Sequence, residues 1–199
     1  IKQYLNSSVG KKQIVAVSGL LLILLFLVPH MAGNLLLIKG PEAINGYSEV
    51  LHSLGFGLVI LRGVFGLLFV VHIGLSIKVT IENRKARGQR YQKSISSENR
   101  TIASRSMPIT GIIIIIFLIG HLRDFVFSHA THSHGVGGVD LGLYGMVVNE
   151  LRELPSMLIY GITMIAVGLH LSHAIQSVFQ TFGLRQGKYV SLINIVSYL

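Results

Sequence analysis

The sequence predicts an all-α fold, a polytopic transmembrane helical bundle, and three observations carry that prediction. Hydrophobic residues make up 51% of the 199-residue chain, charged residues only 13%, and the mean hydropathy is +0.64, a composition that excludes an ordinary soluble domain. Apolar stretches long enough for a hydrocarbon layer of about 30 Å cover 14–38, 54–81, 107–127 and 154–182. A further apolar run starts near Tyr189 and reaches Leu199 without polar flanks, so five membrane-spanning helices are expected, the fifth incomplete.

The first run has no small-residue cleavage site behind it and reads as a retained helix. A short connection with Gly40-Pro41 leads to the second span, a basic one over 82–106 to the third, and a Gly/His-rich one over 129–153 to the fourth. None has the composition of a domain linker and no repeat is evident, so 1–199 is read as one membrane-embedded domain. The chain has no cysteine, which excludes disulfides, thiolate metal sites and cysteine-held iron–sulfur clusters within it.

Basic residues fall mostly on one side of four alternating spans. Lys2, Lys11 and Lys12 precede the first, Arg84, Lys85, Arg87, Arg90, Lys93, Arg100 and Arg105 crowd the second connection, and Arg185 and Lys188 follow the fourth. By the positive-inside bias the N-terminus and that connection face the cytoplasm. The formal net charge of +9 then matches anionic lipid headgroups or an acidic docked subunit, and no nucleic acid is needed to explain it.

Each of the four complete apolar runs carries one histidine deep within it: His30, His72, His121 and His170. An ionisable side chain in a lipid-spanning helix is costly and asks for a ligand or partner. At 1.5 Å per residue His30 lies roughly 27 Å beyond Lys12 and His121 roughly 24 Å beyond Arg105, whereas His72 and His170 lie roughly 18 and 22 Å before Arg84 and Arg185. Depth therefore sorts His30 with His121 and His72 with His170. A bis-imidazole site without carboxylate or thiolate poorly suits structural zinc, which takes four protein ligands. It suits a b-type haem, which takes two axial ligands and needs helix faces thinned by small residues, such as Gly63, Gly66, Gly74, Gly161, Gly168 and the Ala32-Gly33 pair. The same small residues serve equally to bring helices close together.

Three segments carry a resemblance to a known family: SSVGKK from Ser7, HMAGNLLLIKGPEAIN from His30, and GLHLSHAIQSVFQTFG from Gly168. The most specific is His30-x3-Asn34 followed by Gly40, Glu42, Ala43 and Asn45. Over nearly its whole length the chain resembles the dihaem cytochrome b membrane anchor of succinate dehydrogenases and fumarate reductases. The resemblance implies five spans and two b haems, His30 with His121 on the haem distal from the soluble subunits and His72 with His170 on the proximal one. It implies a flavoprotein subunit and an iron–sulfur subunit as cytoplasmic partners, a membrane quinone, usually menaquinone, as redox substrate, and a bacterial cytoplasmic membrane as location.

His173 competes with His170 from one turn away on roughly the same face. The family places its histidine thirteen residues before the helix-ending glycine, here Gly183, which selects His170. His173, Ser177 and Gln180 extend a polar stripe, open to interhelical hydrogen bonding or to a haem propionate or quinone headgroup. Arg62 either pairs with a propionate or snorkels to headgroups. His52 reads as a capping or solvated residue, and His129, His132 and His134 as a solvated outer loop, although their spacing also fits a metal.

No nucleophile–base constellation, phosphate loop or dinucleotide fingerprint occurs, so electron transfer is expected of this chain, with no bond chemistry of its own. Two other classes share its features. A cytochrome b subunit of a hydrogenase, formate dehydrogenase or nitrate reductase shares the histidines but not GPEAIN, and a haem-free transporter uses membrane histidines for divalent metals or protons.

Overall fold

A computed structural model describes residues 2–86, 102–127, 134–187 and 189–198. Among the described residues the chain is all-α apart from one hairpin of two-residue strands. Among them four helical segments are long and apolar enough to cross a membrane: Ser8–Lys39, Phe56–Ala86, Ser106–Phe127 and Leu154–Thr181. This is the architecture of a multi-pass membrane protein. Their side chains are largely uncovered by protein, with Val70 and Ile165 near 70% exposed, as expected of faces that lipid and not a protein core must solvate.

The first segment is compound. Helix α1 (Lys2–Asn6) precedes α2 (Ser8–Leu21), whose N-cap Ser7 accepts a 3.0 Å hydrogen bond from the Gly10 amide. A π-helical stretch over Leu22–Leu27 leads to α3 (Val28–Leu35) and a 3-10 turn over Leu36–Lys39. Pro29, in the first turn of α3, has no amide hydrogen and cannot close an ordinary α-turn backwards, which accounts for the wider turn before it. Helix α5 (Phe56–Ala86) is the second span, α6 (Ile102–Leu122) with a π-helical end over Arg123–Phe127 holds the third, and α8 (Leu154–Thr181) is the fourth. Gly183, at φ 71°, closes α8: its left-handed backbone lets the Leu184 amide return to the Phe179 carbonyl at 2.8 Å.

Two connections are more structured than the sequence suggests. The first contains α4 (Pro41–Ser53), and the third a hairpin of β1 (Gly135–Val136) with β2 (Val139–Asp140) followed by α7 (Gly142–Arg152). Helices α4 and α7 pack on each other and bury Ile44 and Met146. The last described helix, α9 (Tyr189–Tyr198), has ten residues, half the about 20 that a spanning helix requires.

The chain divides into two compact units. One comprises Ile1–Ile23, Phe65–Gly111 and Val167–Leu199, the other Leu24–Val64 and Ile112–Ala166. In the first, buried Lys11 of α2 donates to Glu82 of α5 at 2.6 Å, so one of the two cations of the SSVGKK segment is neutralised across two helices. In the second, Asn45 of GPEAIN reaches across to α7: its amide donates to the Leu141 carbonyl at 2.9 Å, and its side-chain oxygen accepts from the Tyr144 amide at 3.2 Å. Asn45 thereby caps α7 from a distance, satisfying the Tyr144 amide that the helix start leaves open and adding a second hydrogen bond to the Leu141 carbonyl.

Candidate functional site

His72 and His170 belong to the first unit, His30 and His121 to the second. The side chain of His30 is exposed in the protein alone and the other three are half-buried.

In the first unit each histidine is held by a hydroxyl and a glycine from another helix. His72 Nδ1 lies 3.1 Å from the Val15 carbonyl oxygen and 3.3 Å from Ser18 Oγ. A carbonyl can only accept, and the single Ser18 hydroxyl proton is already directed to the carbonyls of Ile14 and Val15, at 2.8 and 3.1 Å. The Nδ1 of His72 therefore carries the proton, which leaves Nε2 with a free electron pair. His170 repeats the arrangement. Its Nδ1 lies 3.1 Å from Thr110 Oγ1, whose own proton is also within reach of the carbonyls of Ser106 and Met107, both at 3.1 Å. With the hydroxyl proton on either carbonyl, His170 donates through Nδ1 and keeps Nε2 open. It lies within electrostatic reach of His72 and His173.

Glycine follows each hydroxyl residue. A Cβ on Gly19 would come within 2.9 Å of His72 Cε1, and one on Gly111 within 3.6 Å of His170 Cε1. These are the small residues on which the histidine rings rest. Gly63, Gly66, Gly74, Gly161 and Gly168, singled out from the sequence, have no neighbour within 4 Å of an added Cβ, and Gly33 rests on Tyr47. A serine or threonine directly before glycine inside an apolar run was the available signal, and neither Ser18-Gly19 nor Thr110-Gly111 was picked out by it.

The second unit holds its pair by ring contact. His30 and His121 have centroids 5.9 Å apart and planes at 88°. Phe26 stacks on His30 at 5.2 Å; Phe117 and Phe125 lie 5.4 and 5.1 Å from His121, one turn to either side of it on α6 and its π-helical end. Tyr160 of α8 places its hydroxyl 3.0 Å from His121 Nδ1. The side chain of Asn34 turns back to the His30 carbonyl at 2.8 Å, which gives the H-x3-N pattern a local backbone role.

Two imidazoles that share one metal, each bonded at about 2 Å, have ring centres roughly 6 Å apart, and the His30–His121 separation meets that requirement. Among the described residues no three His, Cys, Asp or Glu side chains converge, so the histidines offer ligands in twos. In the second unit the donor set and its spacing fit a bis-imidazole group such as haem; in the first the donor set is the same pair of imidazoles.

The other candidates are placed as follows. His173 Nδ1 is buried without a hydrogen-bond partner among the described residues, Ser177 is half-buried and Gln180 exposed. The buried amide of this stripe is Gln176, which the sequence reading passed over. Arg62 is exposed and forms no ion pair with a described residue. His52 bonds back to the Ser48 carbonyl at 2.8 Å near the end of α4. His129 and His132 lie outside the described residues. No protein-family model matches the chain, and neither a curated protein nor a solved structure matches it.

Proposed function

We propose that this chain is the dihaem cytochrome b anchor of a succinate:quinone oxidoreductase, a succinate dehydrogenase or fumarate reductase. It would pass electrons between an iron–sulfur partner subunit and a membrane quinone, menaquinone by family resemblance. One observation carries the reading: two histidine pairs fall in two separate units, and in one of them His72 is obliged to leave Nε2 free while His170 has an acceptor placed for the same tautomer. Haem bound there supplies reversible one-electron iron chemistry.

The chain's own residues do the rest. His72 and His170 are oriented by Val15, Ser18 and Thr110; the Val15 carbonyl fixes the His72 tautomer, and acceptors at Nδ1 would raise the basicity of both as ligands. His30 and His121 are held in an aromatic setting by Phe26, Phe117 and Phe125. In this reading α9 begins a fifth span, the spans form one bundle, the N-terminus lies on the cytoplasmic side of a bacterial inner membrane, and flavoprotein and iron–sulfur subunits dock there. Arg62, His173 and Ser177 remain the residues available to propionates or a quinone headgroup.

Full-length protein purified from its native membrane tests this. A dithionite-reduced b-type band, two haems per chain and copurifying flavin and iron–sulfur subunits are expected. Without the band the haem reading fails, and haem without a flavin partner reassigns the chain to another respiratory complex.

A further inference from the structure

The first unit contains the same small device twice. Ser18-Gly19 on α2 faces His72 on α5, and Thr110-Gly111 on α6 faces His170 on α8. In each copy the hydroxyl has backbone carbonyls of its own helix to take its only proton, which turns its lone pair to the imidazole. In the first copy a Cβ on the next residue, Gly19, would crowd the ring at 2.9 Å, whereas one on Gly111 would make ordinary contact at 3.6 Å.

We propose that Ser18-Gly19 and Thr110-Gly111 are positioning residues that lock His72 and His170 with the proton on Nδ1 and the electron pair of Nε2 presented to one haem iron. The device also chooses between neighbours on α8, because His170 has such a lock and the Nδ1 of His173 has no partner among the described residues. The two copies are unequal. His72 keeps the Val15 carbonyl as a second acceptor when Ser18 is removed, whereas Thr110 is the acceptor on which His170 depends. An imidazole whose Nδ1–H is hydrogen-bonded is the more basic ligand and favours ferric iron. Loss of the acceptor should therefore raise the reduction potential of that haem alone.

This inference rests on the haem reading, and its test separates the two. The full-length chain, with whatever subunits copurify, is titrated potentiometrically at the b-type band, and oxidised samples are compared by electron paramagnetic resonance. Thr110→Val should move one midpoint upward, change one low-spin ferric signal and retain its haem about tenfold less tightly, leaving the other haem as in wild type. Thr110→Ser should restore the wild-type values. Ser18→Ala should move the same haem in the same direction by less, and Gly19→Leu should empty that site while the other stays filled.

Unchanged midpoints and ferric signals in Thr110→Val, equal movement of both haems, or failure of Thr110→Ser to restore them would overturn the proposal. If Thr110→Val does not accumulate in the membrane, Ser18→Ala decides: no movement of either midpoint overturns it. A wild-type chain lacking the b-type band defeats the haem reading first, and this proposal with it.

Discussion

The two units hold chemically identical pairs of imidazoles by different means. In the first, both histidines lie in uninterrupted α-helix beside polar groups: the Val15 carbonyl dictates where the His72 proton sits, and the Thr110 hydroxyl, with carbonyls of its own helix to take its proton, is placed to accept from His170. In the second, His30 follows a π-helical stretch, His121 precedes one, and their surroundings are aromatic. The polar partner there among the described residues, the Tyr160 hydroxyl, can donate or accept and so does not dictate the proton. Hydrogen bonding fixes a tautomer, whereas stacking fixes only a plane. Ring orientation is thus set in one unit by hydrogen bonding and in the other by shape.

The comparison breaks most completely at the ligands. His72→Ala or His170→Ala should abolish one haem with the other spectrally intact, and His30→Ala or His121→Ala the complementary one. Loss of the same haem in His72→Ala and His121→Ala would dissolve the assignment of one pair to each unit.

Next in size is Gly145→Ala in the second unit. The new Cβ would lie 1.9 Å from the His134 carbonyl oxygen, a backbone atom that also accepts from the Leu141 amide at 3.0 Å. A cost of about 1–3 kcal/mol is expected, read as earlier thermal loss of the haem held by His30 and His121. Equal sensitivity of both haems would show that the units do not melt separately.

Tyr160→Phe should cost about 1 kcal/mol and raise only the potential of the haem on His121, since the aromatic contact survives and the hydroxyl does not. The smallest effects sharpen the contrast. His173→Ala should keep both haems, and Gly74→Ala, with open space around the added methyl, should stay within about 0.5 kcal/mol of wild type in thermal stability.

Much of the fold was legible because hydropathy reports span length directly: the four segments agree with the sequence reading to within a few residues at most ends. The histidines stood out by the energetic cost of their setting. The rotation of each helix did not, because a segment such as IIIIIFLIG is apolar on every side and encodes no preferred face. That is why the glycines near the histidines in sequence, Gly74 and Gly168, turned out to face open space while Gly19 and Gly111 support the rings. Helices α4 and α7 were read as connections because Gly40-Pro41 and the glycines before Leu143 look like loop punctuation. Their mutual burial of Ile44 and Met146 is a tertiary fact that no single segment announces.

The Asn45 clamp has a consequence for biogenesis. Its partners Leu141 and Tyr144 follow it by 96 and 99 residues, so a chain synthesised from its N-terminus exposes α4 long before α7 exists to cover it. Until then α4 has the preceding turn and α3 to pack against, and the face that α7 covers is open. The third span, bearing His121, has by that point already left the ribosome. The clamp therefore closes late in translation, on a unit in which His30 and His121 are both already present.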